Sequence, residues 1–171
     1  MEFLSILTAD DFRLKKIYDS YLTAFPENER RSDEQFLALF KNPHASIKTI
    51  SLEGESIGYL VVWNLSEFLY IEHFEVFPDF RGQNMGSQVM QNLNKEHSRI
   101  VLEVEPEDQD ELAKSRIAFY ERNGFVVSDK DYVQPSYGPG KSALNLYLMT
   151  SWNVEDTDLI KEELYDIVYR F

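Results

Sequence analysis

The stretch that decides the fold is Val76-Phe77-Pro78-Asp79-Phe80-Arg81-Gly82-Gln83-Asn84-Met85-Gly86, where an apolar run passes through a turn into a helix that begins beside Arg81 and Gly82. Backbone N–H groups at a helix start have no intrahelical acceptor and sit at the positive end of the helix dipole, so such a turn can hold an anion. The glycines let the backbone approach a ligand closely. Upstream lie three strand-like runs, at 46–52, 57–64 and 68–77, the first two joined by the turn Glu53-Gly54-Glu55-Ser56, and together they predict an antiparallel meander. Downstream, Met85, Val89, Met90 and Leu93 have the spacing of an amphipathic helix, and 100–104 is apolar enough for a buried strand.

Further from the turn, 108–122 predicts a helix with Leu112, Ala113, Ile117 and Tyr120 inward and Gly124 at its C-cap. The chain opens with a strand at 3–7, followed by Thr8-Ala9-Asp10-Asp11, which has capping-box spacing before a helix that carries Leu14, Ile17, Tyr18 and Tyr21 on one face. A second capping signal, Ser32-Asp33-Glu34-Gln35, opens a short helix bearing Phe36, Leu37 and Phe40, and 25–31 reads as a polar connection. After a strand at 125–127 come a Gly-Pro loop over 128–141 and a strand over 143–149; Leu159, Ile160, Leu164, Ile167, Val168 and Phe171 then mark a terminal amphipathic helix. The order β-α-α-β-β-β-α-β-α-β-β-α predicts an α/β (α+β) protein with a mixed sheet and helices on its faces.

A chain of 171 residues, 43% of them hydrophobic, builds one sizeable core without a second domain. With 14% aromatic residues, 7 Gly and 6 Pro, it lacks a disordered composition. The absence of cysteine excludes disulfides, thiolate metal sites and cysteine nucleophiles, and suits a reducing cytosol. His44, His73 and His97 are too scattered for a zinc site, so no metal is expected. The start Met1-Glu2-Phe3-Leu4-Ser5 lacks a basic leader and no segment has the length of a membrane span, so a cytoplasmic protein without membrane association is expected. A formal charge of −13 argues against nucleic acid as a partner and suits a cationic one.

Two segments, in order along the chain, resemble the GCN5-related N-acetyltransferase (GNAT) family. Its acyl-CoA signature, Gln or Arg followed by x-x-Gly-x-Gly or Ala, is matched by Arg81, Asn84 and Gly86, with Val76 and Pro78 upstream. Its second signature, an aromatic pair ahead of Gly-Phe, is matched by Ala118-Phe119-Tyr120-Glu121-Arg122-Asn123-Gly124-Phe125. The resemblance covers roughly residues 1–150 as an acyl-CoA-binding acetyltransferase domain with a mostly antiparallel sheet, and leaves 151–171 as a helical extension of the same domain. Asn84 departs from the signature, which prefers Gly; Asn tolerates a left-handed backbone, so the turn is expected to survive.

The resemblance implies that the strand ending at Val76 parts from strand 100–104 and that pantetheine inserts between them, pairing with backbone around Phe74 and Val76. Pyrophosphate would rest on N–H groups of Gly82, Gln83, Asn84, Met85, Gly86 and Ser87, with Arg81 at the turn. It further implies acetyl-CoA as acyl donor, an amine acceptor, and Tyr120 as the acid that protonates the departing CoA sulfur. For a base, Tyr70-Ile71-Glu72-His73-Phe74-Glu75-Val76 offers three ionisable side chains in an apolar run. Strict alternation puts Glu72 with Phe74 and Val76, and His73 with Glu75 on the other face. Glu72 corresponds best to the carboxylate some family members use, with Glu75 and His73 as alternatives. The acidic run Glu103, Glu105, Glu107, Asp108, Asp110 and Glu111 reads mainly as a solvated loop and helix start; 134–140 reads as a turn-rich connection, which the resemblance implies lies near the acceptor. The expected activity is direct acetyl transfer to a primary amine in a ternary complex, by a monomer or homodimer. A non-catalytic acyl-CoA-binding regulatory module is the alternative.

Overall fold

The computed structural model describes residues 1–170, and the sequence reading that included Phe171 in the terminal helix lies outside them in part. Helix and strand order follow the sequence pattern: β1 (Glu2–Ile6), α1 (Phe12–Ala24), α2 (Asp33–Ala38), β2 (Ala45–Leu52), β3 (Glu55–Asn64), β4 (Leu69–Val76), α3 (Met85–Glu96), β5 (Ile100–Val104), α4 (Glu111–Arg122) and β6 (Val126–Asp129). The segment read as one loop and one strand is more broken. It holds a small two-stranded ribbon, β7 (Val133–Gln134) with β8 (Leu144–Asn145), before β9 (Tyr147–Thr150). Helix α5 (Asp158–Glu163) follows, and Leu164–Tyr169 continue it as a π-helical turn.

The main sheet has seven strands in the order β1-β2-β3-β4-β5-β9-β6, and every neighbouring pair is antiparallel except β4–β5. That parallel pairing is short, running through Leu69 with Ile100, Tyr70 with Val101 and Ile71 with Leu102. Beyond Ile71, β5 stays paired to β9 through Val104, whereas β4 continues paired only to β3. The two strands therefore open at their C-terminal ends. A β-bulge lies at the opening: Val61 opposes His73 and Val62 opposes Ile71, so Glu72 is the extra residue. A bulge bends its strand and sharpens the local twist, which carries β4 away from β5.

Each sheet face carries its own core. On one, Tyr59, Val61, Trp63 and Tyr70 pack with α1, α2 and the C-terminal turns; on the other, Leu60, Val62, Ile71 and Leu102 pack with α3 and α4. The Ser32–Gln35 capping box is present in both of its hydrogen bonds. At α1 the cap is Asp11, accepting from Arg13 N–H, so the helix starts later than Thr8-Ala9-Asp10-Asp11 implied. Leu112 and Leu159, expected inward, are 72% and 78% exposed. Asp110 caps α4 and sets its register, which turns Ala113, Ile117 and Tyr120 inward and Leu112 out. In the terminal segment the buried stripe is Ile160, Leu164 and Val168. No helix among the described residues is long and apolar enough to cross a membrane.

Gly58 opposes Val76 where β4 leaves the ladder, and a Cβ there would lie 2.2 Å from the Glu75 carbonyl oxygen. A Gly58→Ala substitution must therefore push β3 from β4, costing about 1–3 kcal/mol, and should lower Tm by roughly 5 °C. A melting curve unchanged by the substitution would contradict this account of the strand contact.

Candidate active site

The opening turn has the backbone its sequence suggested. Gly82 (φ 77°) and Asn84 (φ 60°, ψ 16°) are both left-handed, and Asn84 is the N-cap of α3. A left-handed conformation costs Asn less than other residues of its size, which is why it stands where glycine is usual. Residues Arg81 to Asn84 are exposed, and Met85, Gly86 and Ser87 at the first turn of α3 are half-buried. Gly86 meets a second constraint, since a Cβ there would come within 3.1 Å of the Phe119 ring on α4. Asn123 reinforces the contact by donating to Ser87 Oγ (3.2 Å) and to the Phe119 carbonyl (2.8 Å), while Asn94 donates to the Asn123 carbonyl (3.0 Å). The two sequence motifs are thus packed on each other.

The Arg81 side chain folds back on β4 rather than over the turn: its Nε donates to the Val76 carbonyl (2.9 Å) and its Nη2 to Glu75 Oε1 (2.8 Å). Arg81 therefore occupies the Val76 carbonyl, one of the backbone groups the sequence reading assigned to pantetheine. Gln83 donates to the Asp79 carbonyl across the turn.

Between the parted strands lies a cavity of about 630 Å³. Phe74 and Val76 of β4, Val104 of β5, and Phe119 with Tyr120 of α4 line it toward the cradle, and Phe25, Glu72, Glu103 and Gln134 line it on the other side. Burial pushes the Tyr120 hydroxyl up to about 12, so it keeps its proton at neutral pH.

The bulge corrects the alternation inferred from sequence. Glu72, His73 and Glu75 share the face that α1 covers: Glu72 meets Trp63 and Arg31, His73 meets Tyr21 and Phe25, and Glu75 accepts from Ser20 Oγ at 2.8 Å, whereas Phe74 packs with the opposite core. The extra residue resets the side-chain period.

Glu72 lines the cavity but is held as a fixed anion. Oε1 accepts from Arg31 Nε (2.8 Å) and the Tyr137 hydroxyl (2.9 Å), and Oε2 accepts from Trp63 Nε1 (2.7 Å). Burial acts to raise its pKa, but the Arg31 guanidinium outweighs it and the net direction is down. Arg31, in turn, donates from Nη2 to the Val168 carbonyl (2.9 Å). A carboxylate neutralised by a buried guanidinium is a weak proton acceptor, which counts against Glu72 as the base. His73 fares no better, since burial lowers its pKa to about 4. Glu75 is ion-paired to Arg81.

Glu103 is the residue the sequence reading undervalued. It is not in a solvated loop. It stands on β5, partly exposed to the cavity, on the same face as Tyr70. The Tyr132 hydroxyl donates to Oε1, and the Tyr169 hydroxyl (2.7 Å) and Gln134 Nε2 (3.1 Å) donate to Oε2. Burial raises its pKa to about 7, opposed by those hydroxyls. The rest of the acidic run behaves as expected in part: Asp110 caps α4, and Glu105 pairs with Arg116 at the cavity rim. The loop over 134–140 contributes Gln134 to the cavity wall and Tyr137 to Glu72.

A mostly antiparallel sheet with one parallel pair that opens above a left-handed turn and helix start defines a mixed α/β fold with a cleft between its central strands. Residues 43–127 match the Acetyltransferase (GNAT) domain family. A GNAT-family structure from Bacteroides thetaiotaomicron is 33% identical and superposes with a TM-score of 0.92 over 100% of this chain and 99% of its own. The chain belongs to the GNAT family. It is also 29% identical over 110 residues to YjbC of Bacillus subtilis (strain 168), named as an acetyltransferase; the match covers 63% of this chain and 55% of that longer relative. The fold extends to an aminoglycoside 6'-N-acetyltransferase complexed with coenzyme A, at 16% identity and TM-score 0.59 over 91% of this chain and all (100%) of the other.

Removing the cation from Glu72 gives a direct check on its state. Arg31→Leu leaves a buried carboxylate without its partner and should destabilise the fold by about 3–5 kcal/mol. Glu72 has a depressed folded pKa in the wild type, so its contribution is present above the unfolded pKa and lost as pH falls. In the variant the same carboxyl is raised, so the Tm gap between the two proteins should be widest at pH 7 and narrow toward pH 4. A gap independent of pH would show that Glu72 is not the charge Arg31 holds.

Proposed function

We propose that this protein is an acetyl-CoA-dependent N-acetyltransferase acting on a primary amine by direct attack in a ternary complex, with residues 1–150 as the acyl-transfer domain and 151–171 as its extension. The observation that carries the reading is the parting of β4 and β5 beyond Ile71 and Leu102, beside the left-handed turn at Gly82 and Asn84, with Tyr120 and Glu103 lining the same cavity. The coenzyme-bound structural relative supports the choice of donor.

Phosphate oxygens of the coenzyme suit the N–H groups of Gly82, Gln83, Asn84, Met85, Gly86 and Ser87, where the helix start favours negative charge. The pantetheine arm suits the β4 edge beyond Ile71, where backbone around Phe74 has no β5 partner. Bringing amine and thioester together in one cavity converts a bimolecular step to an effectively intramolecular one.

Attack then needs a neutral nitrogen. Glu103 takes a proton from the ammonium form; the amine lone pair forms the new N–C bond at the thioester carbonyl; the C–S bond breaks as the Tyr120 hydroxyl gives its proton to the departing sulfur; and the second proton lost by the nitrogen as the amide forms returns to the Tyr120 oxygen. A carboxyl near 7 is matched to work at neutral pH, and a tyrosine that keeps its proton is matched to give it up only to a developing thiolate. Glu72, ion-paired to Arg31, orders the wall beside the acceptor instead of moving a proton.

Tyr120→Phe should lower kcat by roughly 100–10,000-fold with acetyl-CoA affinity unchanged, the scale expected for losing one proton-transfer group. Glu103→Gln should lower kcat and abolish an acidic limb near pH 7 in the kcat/KM profile, measured as thiol release over a panel of primary amines. Coenzyme binding with no thiol release by wild-type protein for any amine would remove the enzymatic reading altogether.

A further inference from the structure

We propose that Tyr169, carried to Glu103 by the π-helical turn Leu164–Tyr169, is a positioning residue for that carboxylate and makes the turn a support behind the cavity wall. The inference rests on Glu103 as the proton acceptor. The turn lies outside the residues that match the family, 43–127, so nothing in the shared motifs calls for it.

The hydrogen-bond directions are determined by counting protons. The Tyr169 hydroxyl has one, and it goes to Glu103 Oε2 at 2.7 Å. Its oxygen then accepts from Gln134 Nε2 (2.8 Å) and from the Tyr70 hydroxyl (2.8 Å), which must be the donor in that pair. Both acceptor positions and the single donor are used, so the hydroxyl cannot turn away from the carboxylate without breaking two other bonds. The ring is fixed against Tyr137, with centroids 5.4 Å apart.

The turn is anchored twice more. The Val168 carbonyl accepts from Arg31, the partner of Glu72, and Arg170 N–H donates to the Tyr165 carbonyl five residues back, the π register. One short segment therefore touches both carboxylates of the cavity, through Arg31 for Glu72 and through Tyr169 for Glu103.

The groups facing Glu103 are Tyr70 and Glu72 from β4, Tyr132, Gln134 and Tyr137 from the segment around β7, and Tyr169. Glu72 is the charged one, and Arg31 matches its charge. Neutral hydroxyls are thus what stabilise the Glu103 anion against burial. Removing one must raise the pH at which the carboxylate forms.

The test follows the Glu103 carboxyl stretch by infrared difference spectroscopy against pH, with the band assigned by its loss in Glu103→Gln. Wild type should titrate near pH 7, and Tyr169→Phe should titrate about one pH unit higher, the scale of one charge-assisted hydrogen bond. The acidic limb of thiol release should move by the same amount, so that the variant is roughly tenfold slower below pH 6 and close to wild type above pH 9. Tyr70→Phe removes from β4 a hydroxyl that both backs Tyr169 and faces Glu103, and should move the midpoint in the same direction by less. Tyr165→Phe, whose hydroxyl donates only to the Val133 carbonyl, should leave it in place. An unmoved midpoint in both Tyr169→Phe and Tyr70→Phe, or a rate loss equal at every pH, overturns the inference. Should Glu103→Gln keep its rate while the midpoint still shifts, the proton-acceptor reading fails instead.

Discussion

The bulge at Glu72 is the constraint on which the rest of the site depends. A strand in the middle of a sheet satisfies its backbone on both edges, and β4 does so only through Ile71. One extra residue bends it away from β5, opens the cavity, and resets the side-chain period so that Glu72, His73 and Glu75 all turn toward α1. The bulged residue is itself pinned by Arg31, Trp63 and Tyr137. Burying an ion pair gains little net stability, because desolvation of both charges offsets their attraction. Its consequence here is geometric: β3, β4, the connection leading into α2 and the loop bearing Tyr137 are tied to one side chain.

Two carboxylates face the same cavity with opposite fates, and what surrounds them explains the difference. Glu72 has a guanidinium, which holds it ionised despite complete burial. Glu103 has hydroxyls and an amide, which hydrogen-bond the anion but bring no positive charge, so burial wins and the carboxyl titrates near neutrality. Environments that push paired carboxyls apart divide labour between them, a fixed charge and a mobile proton.

Much of this was legible in the sequence where the signal is local. The left-handed turn at Gly82 and Asn84, the Ser32 capping box, the stripe Val89, Met90 and Leu93 and the glycine after α4 each depend on residues within a few positions of one another. The bulge is different, because it is fixed by Arg31, 41 residues upstream, and by nothing in the run Tyr70 to Val76. Glu103 was legible in principle: it alternates with Leu102 and Val104 on a buried strand, but the acids that follow it draw the eye to a solvated loop. Arg31 sat in a polar connection and Tyr169 in a terminal helix, and no spacing rule joins either to a carboxylate on β4 or β5.

That division follows the function of the two halves. The donor half of the cavity is built from contiguous backbone, a turn, a helix start and two strands, so it can be written in short motifs and shared across a family. On the proposed acceptor side, the carboxylates Glu72 and Glu103 are surrounded by Phe25, Arg31, Gln134, Tyr137 and Tyr169, side chains brought from opposite ends of the chain. None of these surrounding side chains lies within residues 43–127. Because only side chains, and not backbone, define that half, it is free to change from one relative to another while the cradle stays fixed, and the choice of amine is therefore expected to reside in those residues.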